Sequence, residues 1–173
     1  MYLKIINFIY NMDAAGLTIG ANVVSALLGR QIMSQAIADA SGTIYTSIGD
    51  IFYYSNSVDK VLCELDIGNK IKTMELLTKE FSSAEKFDNE DAINYCLENL
   101  HDMILRIRED LKQISSIIKE HKLKYFSKWR TIDIKNQIYS LKVHSSLLDK
   151  RYDLLVKTLN ITKLLKKDNK IKN

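Results

Sequence analysis

Apolar residues in the second half of the chain recur at alternating spacings of four and three residues. The first such series is Ile93, Leu97, Leu100, Ile104, Ile107, Leu111, Ile114 and Ile118. The second is Ile134, Ile138, Leu141, Ser145, Leu148, Tyr152, Leu155 and Leu159, in which only Ser145 interrupts the apolar character. On a helix this spacing places every member on one narrow face, so each series predicts a long amphipathic helix.

The two predicted helices are joined by a short connection, and such helices generally lie antiparallel. We therefore expect a helical hairpin over about 90–122 and 131–165, with its tip near 119–131. Leu147, Leu154 and Ile161 add a flanking row at intervals of seven, which lets the second helix touch more than one neighbour. Packing within one chain is the preferred interpretation of these heptads, and an intermolecular coiled coil is the alternative.

The first half of the chain supplies further helical segments. Apolar residues between Ser57 and Phe81 predict a third helix, which Gly68 is expected to bend. Residues 16–54 predict additional helix, interrupted near Ala40–Thr43. Two long apolar seams need at least one more helix face to cover them. The predicted fold is therefore an all-α antiparallel bundle of four or more helices.

Composition supports long helices and reveals an uneven distribution of charge. Proline is absent and glycine occurs six times among 173 residues, so residues typical of turns are scarce. Residues 1–58 contain only five charged side chains, and all six glycines lie in or just after this part. We predict three regions: a charge-poor, glycine-containing helical segment at 1–56 that packs on or detaches from the bundle, the bundle at 57–165, and a basic tail at 166–173.

The charge-poor segment contains a candidate surface for a membrane or a partner protein. Small residues four apart, beginning with a GxxxG pattern, let two helix backbones approach closely. The candidate residues are Gly16, Gly20, Val24, Leu27, Leu28 and Ile32. Polar residues dilute the run, which argues against a conventional spanning helix. A helix buried in the bundle and a helix that leaves it to enter a bilayer are the two remaining interpretations.

The connector between the seam helices, "KEHKLKYFSKWR", combines basic and aromatic residues. The candidates are Lys119, Lys122, Lys124, Tyr125, Phe126, Lys128, Trp129 and Arg130. In the simpler interpretation, the aromatic residues cover the end of the hairpin while the basic residues remain solvated. In the alternative, the connector binds lipid headgroups or nucleic-acid phosphates. The lysines of the basic tail lie at the opposite end of an antiparallel hairpin, which weakens the case for one continuous nucleic-acid groove.

Catalytic and metal-binding signatures are missing from the sequence. His101, His121 and His144 belong to no metal-ligand motif, Cys63 and Cys96 are far from CxxC spacing, and no phosphate-binding glycine loop occurs. We predict a non-enzymatic protein with no cofactor and no small-molecule substrate. A protein partner or self-association ranks first, a membrane second and nucleic acid third. The cysteine usage and the lack of a secretory signal favour an intracellular, cytoplasmic location, with membrane or virion association as alternatives.

Two resemblances follow from these features. The segment "KYFSKWR" followed by "LLDKRYDLLVKTL", in a chain rich in Ile, Lys, Asn and Tyr, resembles uncharacterised helical proteins of giant DNA viruses. A glycine-containing N-terminal helix ahead of a bundle is similar in outline to the membrane-acting HeLo-type four-helix domains of cell-death proteins. The first resemblance implies an all-helical protein, and neither one implies specific functional residues.

Overall fold

The computed structural model describes the backbone of residues 14–54, 56–83, 90–124 and 132–171. It describes the side chains of residues 29–54, 58–82, 91–124 and 132–162. These residues form the helices α1 (Ala14–Tyr54), α2 (Asn56–Leu65), α3 (Ile67–Ser83), α4 (Glu90–Leu123) and α5 (Lys135–Ile171). No strand occurs within the described ranges. The predicted all-α class is confirmed.

The helices form a bundle in which α4 lies between α1 and α5. The most extensive contacts are those of α4 with these two helices, and α1 also packs on α3 and α2. α2 also contacts α5. α4 and α5 are antiparallel, because Asp110 faces His144 whereas Asn99 faces Arg151. The predicted hairpin is therefore confirmed, with helices at Glu90–Leu123 and Lys135–Ile171.

The two apolar seams form the centre of this bundle. All eight seam residues of α4, from Ile93 to Ile118, are buried. On α5, the buried seam residues are Leu141, Ser145, Leu148, Leu155 and Leu159, and Ile134, Ile138 and Tyr152 pack partly buried against them. α5 begins where Asp133 Oδ1 accepts the Lys135 amide at 3.5 Å, which satisfies an amide of the first turn.

α1 contributes a third buried face through Ile37, Ile44 and Ile51, which are spaced seven residues apart. The predicted interruption near Ala40–Thr43 is wrong, because α1 continues through these residues. Ser41 Oγ donates to the Ile37 carbonyl at 2.7 Å, and Ser41 is fully buried. Hydroxyl groups that bond back to the preceding turn need no other partner, so this polar stretch stays helical.

The break between α2 and α3 lies at Asp66, and the predicted bend at Gly68 is wrong. Asp66 has a φ of 49°, whereas no glycine of the described chain has a positive φ. Aspartate is among the few residues that tolerate this left-handed conformation. The Asp66 amide donates to the Cys63 carbonyl at 3.2 Å, and its Oδ1 accepts a hydrogen bond from Asn69 Nδ2 at 2.7 Å. Asp66 thereby ends α2, and its carbonyl accepts the Lys70 amide of α3 at 3.1 Å.

Neighbouring leucines of α5 provide a direct test of the buried face. Leu155 is fully buried, whereas Leu154 is 49% exposed. We expect Leu155→Ala to lower the free energy of unfolding by about 2–5 kcal/mol, because it leaves a cavity. Leu154→Ala should cost less than about 0.5 kcal/mol. Urea unfolding of both variants measures the difference, and equal costs would show that the core face has been misplaced.

Replacing either of two exposed glycines of α1 by alanine should stabilise the protein. A Cβ added at Gly42 or Gly49 would meet no atom within 4 Å. Since glycine is a poor helix former, we expect Gly42→Ala and Gly49→Ala each to raise the free energy of unfolding by about 0.5–1 kcal/mol. Ala38→Gly in the same helix is the matched control and should lower it. Thermal or urea unfolding provides the measurement, and destabilisation by both alanine variants would contradict the expectation.

Candidate interaction surface

The candidate residues of the charge-poor segment are only partly described. The side chains of Gly16, Gly20, Val24, Leu27 and Leu28 lie outside the described residues, although the backbone of α1 runs through these positions. Ile32 is 69% exposed. Arg30 is buried, and its Nη1 donates to the Phe81 carbonyl in the last turn of α3 at 3.5 Å. Arg30, the single charged residue between Gly16 and Ile32, therefore complements the carboxyl end of a neighbouring helix.

The basic and aromatic connector is also described only at its beginning. Tyr125, Phe126, Lys128, Trp129 and Arg130 lie outside the described residues, while Lys122 and Lys124 are exposed. Lys119 Nζ lies 2.6 Å from Asp50 Oδ2, which also accepts a hydrogen bond from Ser115 Oγ at 3.3 Å. Lys119 therefore links α4 to α1.

An open polar groove of about 790 Å³ runs between α1 and α4 beside this ion pair. Its lining includes Asp50 and Lys119, which neutralise each other, and the hydroxyl groups of Thr43 and Thr46. Both hydroxyls donate to carbonyls of their own helix. The Asp50–Lys119 pair and the two threonine hydroxyls of the groove therefore already have partners within the protein.

A cluster of three polar side chains joins α4 to α5. His144 Nδ1 lies 2.6 Å from Asp110 Oδ2, and Ser140 Oγ donates to Asp110 Oδ1 at 2.9 Å. The Asp110 residue is buried. This pairing was not predicted from the sequence, because Asp110 and His144 lie 34 residues apart on different helices. We name these three residues the polar clamp.

The geometry of the polar clamp differs from that of a nucleophilic Ser-His-Asp triad. In such a triad, Nδ1 of the imidazole bonds to the carboxylate while Nε2 accepts the serine proton. Here the Ser140 hydroxyl donates to the carboxylate itself, and its nearest imidazole nitrogen is Nδ1 at 3.5 Å. The serine proton is therefore held by Asp110, and the clamp serves to fix the two helices.

Two further polar links set the register of α4 and α5. Arg151 Nη1 donates to both the carbonyl and Oδ1 of Asn99, at 2.7 and 2.8 Å. Cys96 Sγ lies 3.6 Å from Thr158 Oγ1. Together with the polar clamp, these contacts hold the hairpin in one register along its length. The surface that the two helices share on the outside of the bundle is consequently preorganised.

That outer surface carries a row of apolar residues on α5. An α-helix turns by about 100° per residue, so seven residues of α5 share one sector about 80° wide. These are Tyr139, Val143, Leu147, Lys150, Leu154, Lys157 and Ile161. Tyr139, Leu154 and Ile161 are 72%, 49% and 57% exposed, and Val143 is also exposed. Leu147 is partly buried against the core. We name these seven residues the α5 stripe; it contains the predicted flanking row and repeats at heptad spacing from Val143 to Ile161.

The outer face of α4 lies beside the α5 stripe. This face is mainly acidic, whereas the charged residues of the α5 stripe are Lys150 and Lys157. Its exposed side chains include five carboxylates and one guanidinium: Asp91, Glu98, Asp102, Glu109, Glu120 and Arg106. Tyr95 is exposed among them, close to the α4 side that bonds to Arg151 and Thr158. We name this surface the α4 acidic face. Neither charge pattern was recognised from the sequence, because each depends on which side of its helix the core occupies.

Burial perturbs two titratable groups of the described chain. Burial, and then the nearby Glu75 carboxylate, raises the pKa of Tyr45 to about 12. Burial also lowers the pKa of His101 below its ordinary value of 6.5, against the opposing influence of Asp102. Neither group belongs to the α5 stripe. These shifts reflect packing in the bundle.

The described residues contain neither a cluster of three or more side chains able to hold a metal ion nor a helix long and apolar enough to cross a membrane. The chain is 33% identical over 98 residues to the uncharacterised protein L717 of Acanthamoeba polyphaga mimivirus. The match covers 57% of this chain and 45% of that protein. The expected resemblance to uncharacterised proteins of giant DNA viruses is thus confirmed. No protein-family model and no solved structure matches the chain.

The polar clamp should be energetically coupled. We expect Asp110→Ala to lower the free energy of unfolding by about 1–3 kcal/mol, because it leaves the partly buried Ser140 and His144 without their acceptor. In a double-mutant cycle with His144→Ala, the coupling energy should be about 0.5–3 kcal/mol. Asp153→Ala, an exposed carboxylate on α5, is the control and should have little effect. Strict additivity of Asp110→Ala and His144→Ala in urea unfolding would contradict the clamp.

Proposed function

We propose that this chain is a non-enzymatic helical bundle that acts by binding another protein through the α5 stripe and the adjoining α4 acidic face. The observation that carries this proposal is the exposure of several apolar residues along one face of α5, between which Lys150 and Lys157 lie. One face of α5 is buried in the core, and a second face presents Val143, Leu154 and Ile161 to solvent at positions of one four-three repeat. Single exposed apolar residues are ordinary, but a contiguous row is typical of an interaction surface.

Heptad spacing also suggests the shape of the partner. A helix laid along such a row can insert side chains between Leu147, Leu154 and Ile161 in the manner of a coiled coil. Lys150 and Lys157 interrupt the row at alternate positions, which favours acidic residues on the partner. The α5 stripe therefore fits an amphipathic helix with carboxylates along its edge.

Action by association rather than catalysis is supported by the chemistry of the polar clamp. The Ser140 hydroxyl and the His144 imidazole both bond to one carboxylate, so their polar atoms serve packing. The sequence-based hypothesis that an N-terminal segment engages a membrane or partner is independent of this surface. Five of its six candidate residues lie outside the described side chains, and the α5 stripe requires none of them.

A site-specific photocrosslinker at position 154 tests the proposal. Leu76 on α3 is 51% exposed and provides a matched control position outside the α5 stripe. We expect irradiation in cells that express the full chain to give a discrete protein adduct from position 154 but not from position 76, because only the first lies in a binding surface. Gel mobility and mass spectrometry would identify the adduct.

Three results would contradict the proposal. These are no discrete adduct from position 154, adducts of equal yield from both positions, and adducts to lipid alone. Adducts to lipid alone would indicate that the α5 stripe contacts a membrane and not a protein partner. Circular dichroism of the purified variants ensures that the crosslinking residue has left the bundle folded.

A further inference from the structure

We infer that the partner of the α5 stripe is a second copy of this chain, bound so that each α5 stripe lies against the α4 acidic face of the other copy. This inference rests on the proposed function and specifies its partner. Because the α4 acidic face and the α5 stripe are neighbours on one molecule, a twofold axis between two copies can satisfy both surfaces at once. Such an isologous arrangement closes on itself as a dimer.

Charge complementarity is the first argument. The α5 stripe contains Lys150 and Lys157 and no carboxylate, whereas the α4 acidic face contains five carboxylates and Arg106. Lys112 of α4 is also exposed, but it lines the groove beside α1 and lies on the side of α4 away from α5. Pairing α5 with α5 directly would bring lysines together. Pairing α5 with the α4 of a second copy brings opposite charges together, which favours association and fixes register.

The heights of these charges along the bundle provide the second argument. Within one chain, Arg151 bonds to Asn99 and Thr158 contacts Cys96, so Lys150 lies near the level of Asp102 and Lys157 near that of Glu98. A twofold axis parallel to the helices keeps these levels in the second copy. Lys150 then faces the second copy's Asp102, and Lys157 faces the second copy's Glu98.

The available area provides the third argument. From Tyr139 to Ile161, a rise of 1.5 Å per residue gives a surface about 33 Å long, and two helices make it about 20 Å wide. This area of about 660 Å² is close to the roughly 800 Å² that each partner contributes to a typical stable interface. Val143, Leu147, Leu154, Ile161 and Tyr95 would form its apolar centre, and the ion pairs would lie at its rim.

Sedimentation equilibrium of the purified full chain measures self-association directly. We expect a mass that rises with concentration towards twice the 19.9 kDa of one chain. The variant Leu154→Asp/Ile161→Asp should remain monomeric, because it places carboxylates opposite carboxylates. Leu76→Asp is the matched control and should associate like the original protein.

A charge exchange distinguishes the proposed pairing from other self-association. Lys150→Glu/Lys157→Glu alone and Glu98→Lys/Asp102→Lys alone should each weaken the dimer at least about tenfold, since like charges then meet. An equimolar mixture of the two variants should recover association, because each variant's α5 then faces an α4 of opposite charge. Equal helical content by circular dichroism shows that the variants fold.

A strictly monomeric original protein would overturn the inference. A dimer affinity that neither pair of charge substitutions changes would also overturn the inference. The same holds if the mixture of the two variants associates no more strongly than each variant alone. If position 154 crosslinks to a different protein while the purified chain stays monomeric, the proposed function stands and the second copy is excluded as its partner. If crosslinking at 154 yields no protein at all, the proposed function itself fails.

Discussion

Burial of one face of α4 between two neighbouring helices is the constraint on which the rest of the bundle depends. The eight residues from Ile93 to Ile118 are all buried, and α4 contacts α1 on one side and α5 on the other. Removing apolar surface from water is the dominant stabilising contribution in such a bundle. Polar contacts add to this burial. The Lys119–Asp50 ion pair joins α4 to α1, and the polar clamp and the Arg151–Asn99 hydrogen bonds join α4 to α5.

Sequence reasoning was most successful where periodicity was uninterrupted. The seams of α4 and α5 were predicted residue by residue, because four-three spacing over several turns leaves only one face to bury. It failed at Ala40–Thr43 and Gly68 because it treated small residues as breaks. Ser41 instead bonds to its own helix, and Asp66 rather than glycine adopts the left-handed conformation. Local propensity is a weak guide when tertiary packing holds a helix together.

The interaction surface was harder to predict for a different physical reason. Leu147, Leu154 and Ile161 were recognisable as a row, but their exposure depends on how the whole of α5 is rotated against α4. The polar clamp likewise joins residues from separate helices, and only the hairpin register brings Asp110 to His144. Sequence patterns identify which residues share a helix face, whereas three-dimensional packing determines whether that face meets the core or solvent.

In the proposed function, one face of α5 serves folding and the other serves association. The inner face of α5 completes the core around α4. Its outer face carries exposed apolar residues with Lys150 and Lys157, and it lies beside the α4 acidic face. This division links the proposed function to the fold, because the same polar contacts that hold α4 to α5 keep the outer surface in one shape.

Backbone amide hydrogen exchange tests most directly whether α4 is the central helix of the bundle. The account predicts that amides between Leu97 and Ile118 are the slowest to exchange, opening only when the whole molecule unfolds, and that those of α2 exchange faster. Exchange in α4 as fast as in α2 would contradict it, because a helix packed between α1 and α5 cannot open before the contacts with both are lost.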